Sequence, residues 1–527
     1  MIYDFDVIVV GSGPAGVSAA FPLVNAGLNV LMVDGGKEQK MNPPIKKNLD
    51  LRLHDKNQWK WMLGEDLYAL KIANLISPKH RIPSLEYVFE GFKKSNKIVS
   101  KNFTATGSLA TGGLSNAWGC GVACFSKDEL LHFPFSYSEI YKSYENIALR
   151  IGLSGKVNDD LSSYFGVDQW ANKPMDIDEI HNYLLNKYNG LKTDLNGFLL
   201  GRCRMAVLSN KLNDRDACNS CGNCFIGCDR KSMYSSVSDV INLKKNKNFT
   251  FYPGFIVDSV LKKDNFLSVQ GSFSCDLEQK QISAKKIILA AGTLATTRLV
   301  LNAIKLKKEV PMLSSPTGAF MAFVPRFFGR KVNSSAAIGQ IAFTLPIEDN
   351  VSASGATFLA SSINASELLV HLPFKRRFGV DILSSLLSSC VIGNIFLPGH
   401  LTNAKVKLGN TGELIVDGIY DEKVNLYMAI ASKRLKRAFF KMGAVILPGS
   451  FTIGNPGADV HYSGTLPMRK NPVSGETTSD GEVYSLGGVY VVDGASLPFL
   501  PSKPHTFTIM ANADRIGNKI VNLLNHS

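Results

Sequence analysis

The stretch that decides the fold is Asp6-Val7-Ile8-Val9-Val10-Gly11-Ser12-Gly13-Pro14-Ala15-Gly16, near the start of the chain. A helical pattern follows over residues 17–26, and a second strand-like run, residues 30–33, ends in Asp34. The order is strand, glycine-rich turn, helix, strand and acid, which predicts a dinucleotide-binding unit on a parallel sheet.

Each glycine of that pattern, and the acid that ends it, has a physical role. Gly11 permits the tight turn, Gly13 lets the backbone approach a pyrophosphate at the helix N-terminus, and Gly16 lets helix and strand pack closely. Asp34 is expected to bind the hydroxyl groups of the adenosine ribose.

Two later runs predict further strands of the same sheet. Residues 286–293 form an apolar strand that passes through Ala291 and Gly292 into a helix at 294–304, and residues 489–492 end in Asp493 and Gly494. At the crevice of a parallel sheet, such strand ends would face one extended dinucleotide, which favours FAD over NAD. The cofactor domain is therefore assembled from segments hundreds of residues apart.

Two histidines near the C-terminus point to the chemistry. His461 lies in His461-Tyr462-Ser463-Gly464-Thr465, and His505 lies in Pro504-His505-Thr506-Phe507. Oxidation of an alcohol requires a base near neutral pKa that takes the hydroxyl proton while a hydride leaves the carbon, and a neutral imidazole suits that role.

These motifs together resemble the glucose–methanol–choline (GMC) oxidoreductases, over nearly the whole chain. The resemblance rests on residues 11–34, on Thr111-Gly112-Gly113-Leu114-Ser115-Asn116-Ala117-Trp118-Gly119, on the turn at 290–292, and on residues 461–505. It implies a non-covalent FAD that receives the hydride at flavin N5, with His461 as the base and His505 bonding the substrate oxygen, or these two roles exchanged. It also implies these cofactor neighbours: Gly112, Gly113, Ser115, Asn116 and the adenine-contacting Val257.

Position 117 departs from one related group. Pyranose oxidases, which this chain resembles at residues 113–118, carry at that position a histidine bonded covalently to the flavin, whereas this chain has Ala117. The FAD is therefore expected to be dissociable.

A cysteine run suggests a second redox centre. Cys218, Cys221, Cys224 and Cys228 have the spacing C-x2-C-x2-C-x3-C of a ferredoxin ligand run. The chain resembles bacterial FAD-dependent glucose dehydrogenases, which implies a 3Fe-4S cluster on Cys218, Cys224 and Cys228; a 4Fe-4S cluster would take Cys221 or Cys203 as fourth ligand. Zinc and a metal-free thiol loop remain alternatives. A cluster would pass electrons to an acceptor protein or a quinone, and without it an oxygen-using oxidase is expected.

The predicted fold class is α/β, with a discontinuous Rossmann-type FAD-binding domain and an α+β substrate domain built on an antiparallel sheet. The FAD-binding domain is assigned to residues 1–36, 102–313 and 454–527, including the cysteine loop 203–228. Residues 37–101 form an excursion that serves as a lid or covers the surface. Residues 314–453 form the substrate domain, with strands at 319–324, 340–345 and 406–408 and an amphipathic helix at 424–442.

The composition and charge pattern limit the classes of partner that we expect. With 527 residues, 45% of them hydrophobic, the chain can bury large cores, and its net charge of +14 is scattered rather than gathered into a nucleic-acid-binding patch. The N-terminus lacks a signal-peptide pattern, which predicts a cytoplasmic protein. Residues 382–404 are too polar for a transmembrane helix, and residues 380–396, behind the basic run 374–378, predict either a buried helix or a peripheral membrane contact.

The predicted function is oxidation of a CH–OH group of a sugar or polyol to a carbonyl. One alternative is oxidation of long-chain or sterol alcohols, favoured by the apolar 380–396 segment. The other is an electron-transfer flavoprotein without catalytic activity. The sequence carries no code for the substrate.

Overall fold

A computed structural model describes residues 3–71, 78–191, 195–263, 266–330, 335–362 and 386–526. Its helices, in chain order, are α1 (Pro14–Asn25), α2 (Asn48–His54), α3 (Gln58–Leu63), α4 (Tyr68–Lys71), α5 (Glu86–Phe89), α6 (Phe92–Ser95), α7 (Lys127–Leu130), α8 (Tyr137–Ile151), α9 (Ser162–Phe165), α10 (Glu179–Asn189), α11 (Val237–Leu243), α12 (Thr293–Ala303), α13 (Lys423–Lys441) and α14 (Thr506–Asn525). Its strands are β1 (Phe5–Val10), β2 (Val30–Asp34), β3 (Ile98–Lys101), β4 (Leu153–Ser154), β5 (Ala171–Asn172), β6 (Leu199–Arg202), β7 (Phe249–Pro253), β8 (Phe255–Lys263), β9 (Phe266–Phe273), β10 (Asp276–Leu289), β11 (Val310–Pro311), β12 (Leu313–Ser314), β13 (Thr317–Phe323), β14 (Ile341–Glu348), β15 (Val351–Leu359), β16 (Cys390–Phe396), β17 (Lys405–Leu408), β18 (Leu414–Asp417), β19 (Val445–Ile446), β20 (Thr452–Ile453), β21 (Tyr462–Ser463) and β22 (Val489–Val491).

The first large sheet has the order β7-β2-β1-β10-β9-β8, with β22 paired to β10. Strands β7, β2, β1, β10 and β22 run parallel, while β9 and β8 continue the sheet antiparallel. All four residues of the run Val7–Val10 are buried, because helices cover the parallel part on both faces. The predicted Rossmann-type sheet is therefore confirmed, and its β10 begins ten residues earlier than the predicted strand.

Helix α14 holds α1 against this sheet. At their crossing, a Cβ on Gly517 would lie only 2.6 Å from the carbonyl oxygen of Ala19, so the two backbones approach as closely as a glycine permits. The chain's C-terminal helix thus packs on the first helix of the dinucleotide unit.

The second large sheet has the order β19-β13-β16-β15-β14-β6, with β20 also paired to β13, and its pairs are antiparallel. Helix α13 covers one face, where Phe320, Phe343 and Phe439 meet in a buried aromatic cluster. The predicted strands at 319–324 and 340–345 and the amphipathic helix of this part are confirmed, and the mixed α/β fold class with them. The predicted strand at 406–408 forms as β17, but it lies in a separate four-stranded sheet, β11-β17-β18-β3, whose apolar residues pack in the core of the first large sheet.

The interpretation of residues 380–396 as a buried helix or a membrane-contacting segment is wrong for its last part. Cys390–Phe396 is the strand β16, paired on both sides with β13 and β15. The basic run 374–378 and residues 380–385 lie outside the described residues. Among the helices that the structure describes, none has the length and apolar character needed to cross a bilayer.

Candidate active site

A cavity of about 1840 Å³ lies between the carboxyl ends of the parallel strands and the second sheet. Typical small-molecule sites measure about 300–1,000 Å³, so this space accommodates a dinucleotide together with a substrate. Twelve of the predicted catalytic and cofactor-binding residues line it: Gly11, Gly13, Asp34, Gly113, Ser115, Val257, Ala291, Gly292, Asp493, Gly494, His461 and His505. Gly16, Gly112 and Asn116 do not lie on its wall.

In the glycine-rich turn, Gly11 and Gly16 pack closely against backbone, whereas Gly13 borders open space. A Cβ on Gly16 would lie 1.9 Å from the Gly11 carbonyl oxygen, and one on Gly11 would lie 2.3 Å from the Ala290 carbonyl oxygen, so both positions are closed by backbone. Nothing lies within 4 Å of a Cβ placed on Gly13, the residue that caps the N-terminus of α1. This open space at a helix N-terminus fits a pyrophosphate.

Asp34 ties the end of β2 to that turn. One carboxylate oxygen accepts hydrogen bonds from the Ser12 amide and hydroxyl at 2.9 and 2.8 Å, and the other accepts from the Gly36 amide at 2.8 Å. Burial raises the pKa of Asp34 to about 6, against the lowering effect of these donors.

The 111–119 loop is fastened to the same turn by its polar side chains. The Gly112 amide donates to the Ser12 hydroxyl at 2.9 Å, and the Ser115 hydroxyl donates to the Gly112 carbonyl at 2.5 Å. The side-chain amide of Asn116 donates to the backbone carbonyls of Thr111 and Gly113. Gly112 and Asn116 therefore shape the loop, while Gly113 and Ser115 reach the cavity.

Asp493 connects the turn after β22 to the turn after β10 by hydrogen bonds. Its carboxylate accepts from the Gly292 amide at 2.9 Å, from the Thr296 hydroxyl at 2.5 Å and from the Ala495 amide at 3.0 Å. Burial raises its pKa to about 6. Asp493 thus joins the start of α12 to the turn after β22, and places Gly292 and Gly494 on the cavity wall.

The imidazoles of His461 and His505 lie edge to face with ring centres 4.9 Å apart. His461 is the residue immediately before β21, and His505 caps the N-terminus of α14. Burial lowers the pKa of His461 to about 4, with a smaller contribution from Lys79, and burial lowers the pKa of His505 well below its usual value. Both rings are therefore neutral at physiological pH, and a neutral imidazole is able to accept a proton.

Two groups beside His461 were not predicted from the sequence. Asp459 is largely buried, with its side chain 11% exposed; its carboxylate lies 3.3 Å from Nδ1 of His461, and burial raises its pKa to about 7. Lys79, from the 37–101 excursion, lines the cavity and donates to the Ala117 carbonyl at 2.6 Å; burial lowers its pKa to about 8. A carboxylate two residues before a candidate base was a readable signal, whereas nothing in the sequence placed Lys79 here.

The second sheet forms an apolar roof over this space. Its cavity-lining residues come from β13, β15 and β16, and include Met321, Ala356, Phe358, Ile392 and Phe396. Thr317, Ser354 and Asn394 are polar residues of these strands on the same wall, and the Asn394 side-chain oxygen accepts from the Ala356 amide at 2.8 Å.

The cysteine loop does not form the predicted metal site. No group of three or more His, Cys, Asp or Glu side chains among the described residues is arranged to hold a metal ion, and Cys218, Cys221, Cys224 and Cys228 all belong to the described part. Cys203 and Cys224 instead line the cavity, and the Cys224 sulfur accepts from the Ala337 amide at 3.3 Å. The iron–sulfur prediction is therefore unsupported.

Comparison with protein families finds three matching regions. Residues 5–110 match a family model described as pyridine nucleotide-disulphide oxidoreductase, and residues 195–308 and 453–513 match the N- and C-terminal models described as GMC oxidoreductase. No curated protein matches the chain.

Solved structures share the fold. Pyridoxine 4-oxidase from Mesorbium loti aligns with a TM-score of 0.61 at 14% identity, over 99% of this chain and 100% of that one. Formate oxidase from Aspergillus oryzae aligns with a TM-score of 0.63 at 12% identity, over 99% of each chain. At these identities the likeness concerns the fold.

Proposed function

We propose, from the premise that this chain is a GMC-family flavin oxidoreductase, that it oxidises the CH–OH group of an apolar alcohol to a carbonyl. The observation that carries the proposal is the pair of neutral imidazoles, His461 and His505, on the wall of the cavity that also holds the dinucleotide-binding turns. The open helix N-terminus at Gly13 fits the FAD that the family implies.

His461 and His505 have different roles in this reaction. His461 accepts the hydroxyl proton, because its pKa of about 4 keeps it unprotonated and its neighbour Asp459 is placed to hold the proton on Nδ1. His505 donates a hydrogen bond to the substrate oxygen and fixes its position. When bound, FAD supplies the two-electron acceptor for the hydride.

The roof favours an apolar substrate over the predicted sugar or polyol. A sugar needs a hydrogen-bonding partner for each buried hydroxyl, since an unpaired buried hydroxyl costs about 1–3 kcal/mol. The roof offers mainly Met321, Phe358, Ile392 and Phe396, with Thr317, Ser354 and Asn394 as its few polar side chains. This supports the alternative of long-chain or ring-bearing alcohols, for which burial of apolar surface provides the binding energy.

We also propose dioxygen as the electron acceptor. The cluster that favoured a protein or quinone acceptor lacks support, and no step of the proposed reaction uses the cysteine loop. Both structurally similar proteins named above are described as oxidases.

Anaerobic absorbance spectra of the FAD-loaded protein test this function. Addition of an apolar primary alcohol or a sterol is expected to bleach the flavin band, and addition of air is expected to restore it with formation of hydrogen peroxide. Bleaching by sugars alone contradicts the substrate class. Bleaching by no alcohol at all supports an electron-transfer flavoprotein.

A further inference from the structure

Residues 40–63, which we call the outer segment, contain nine large apolar side chains and no buried residue. These side chains are Met41, Ile45, Leu49, Leu51, Leu53, Trp59, Trp61, Met62 and Leu63. Ile45 is 81% exposed and Leu53 66% exposed, and neither α2 nor α3 has a buried residue. The surfaces of soluble proteins rarely carry so much apolar area in one segment unless it contacts another protein or a membrane.

The outer segment is held in place by hydrogen bonds of its backbone and of the Arg52 side chain. The buried Asn223 donates to the carbonyls of Pro44 and Lys46 at 3.1 and 2.8 Å, and the Asn48 amide donates to the Cys221 carbonyl at 2.8 Å. Arg52 donates to the Ser361 carbonyl at 2.8 Å. The fold therefore fixes the segment, with Met41, Ile45, Leu53 and Trp59 exposed and its five other large apolar side chains half-buried.

Charge identifies the kind of partner. The outer segment carries five lysines and one arginine against Asp50 and Asp55, a net charge of six minus two, or +4. A second copy of the chain would present the same positive charge, which disfavours self-association through this surface. Basic residues among tryptophans and aliphatic side chains are typical of surfaces that lie on anionic lipid.

We propose that the outer segment docks this protein on an anionic phospholipid surface. The segment ends at Leu63, and Leu63, Ala69 and Leu70 also line the active-site cavity, so the docked face adjoins the mouth of the cavity. For the apolar alcohol of the proposed function, which this last point presupposes, the lipid would be the reservoir from which substrate enters.

Co-sedimentation with vesicles tests the docking without reference to activity. The FAD-loaded protein is expected to bind vesicles of phosphatidylcholine mixed with phosphatidylserine, to bind pure phosphatidylcholine far less, and to dissociate as salt is raised. The pair Lys46→Gln and Lys47→Gln should weaken binding about 30-fold, at about fivefold per lysine. The pair Ile45→Ser and Leu53→Ser should weaken it at least about tenfold.

Matched controls are Leu131→Ser and Phe440→Ser, at side chains 82% and 71% exposed elsewhere on the surface. They should leave vesicle binding unchanged. The proposal is overturned if the protein ignores anionic vesicles, if the outer-segment variants bind as well as the controls, or if these variants abolish only a dimer seen by light scattering. Flavin reduction by a short soluble alcohol, measured on the same variants, reports separately on the proposed function.

Discussion

The carboxylate of Asp459 lies 3.3 Å from Nδ1 of His461, and the residue between them, Val460, has a φ of +68°. A β-branched residue rarely adopts this left-handed conformation, which costs about 1–3 kcal/mol and is common at active sites. The strained turn brings an acid and a base two residues apart into contact. Asp459 is therefore expected to position His461 and to set its tautomer.

Asp459→Asn should slow anaerobic flavin reduction by about 10-fold to 100-fold, part of the 10²–10⁴-fold typical of general base catalysis. The reason is that an amide placed to donate to Nδ1 moves the imidazole proton to Nε2, where it blocks proton acceptance. Stopped-flow absorbance measures the rate. An unchanged rate, with normal FAD binding, would show that His461 needs no such partner.

The rate of flavin reduction should rise with pH through about 7. Burial raises the pKa of Asp459 to about 7 and lowers that of His461 to about 4, so Asp459 loses its proton there while His461 stays neutral. Only ionised Asp459 favours the Nδ1–H tautomer. The rise should disappear in Asp459→Asn.

Two neighbouring titratable groups, His505 and Tyr420, do not explain that rise, and Lys79 is tested separately. His505 is neutral in this range because its pKa is well below the usual value, and the pKa of the Tyr420 phenol near Asp459 is raised by burial. Lys79 titrates near 8, so Lys79→Met serves as the control. A pH profile that follows Lys79 rather than Asp459 would contradict the assignment.

Two glycine substitutions separate cofactor binding from folding. Gly13→Ala should leave the thermal unfolding of the FAD-free protein unchanged but weaken FAD binding about 10-fold or more, because its Cβ enters the open space at the helix N-terminus. Gly16→Ala should destabilise the FAD-free protein by about 1–3 kcal/mol or more, because its Cβ meets the Gly11 carbonyl. Flavin fluorescence titration and calorimetry measure the two effects, and equal effects of both substitutions would refute this division.

The cysteine loop should act as a platform for the outer segment. Asn223→Ala removes two hydrogen bonds to the carbonyls of Pro44 and Lys46, at a cost of about 1–3 kcal/mol. Limited proteolysis should then cut residues 40–63 sooner, while Cys228→Ser, which changes no bond to the segment that the structure shows, serves as control. Equal protection in Asn223→Ala and the control would count against this role.

The fold was largely predictable because its determinants are local. The run Val7–Val10, the turn Gly11–Gly16 and Asp34 fall in one continuous pattern, and the strand ends at Gly292 and Asp493 repeat it at a distance. The strand β16 was not predictable in the same way, since periodicity alone does not distinguish a short, mostly apolar strand from a segment of buried helix.

The candidate site was only partly predictable because it depends on side-chain direction. The spacing of Cys218, Cys224 and Cys228 carried no information on where their thiols point, and these do not form a metal site among the described residues. Val460 gave no turn signal, so the contact of Asp459 with His461 followed only from the structure.

The role of His461 is tested by anaerobic single-turnover reduction of the FAD-loaded protein by an apolar alcohol, compared between wild type and His461→Ala. We expect a rate about 10²–10⁴-fold lower in His461→Ala with an unchanged oxidised flavin spectrum, and a normal rate in the surface control His132→Ala. Reduction of His461→Ala at the wild-type rate would contradict the claim that His461 takes the hydroxyl proton.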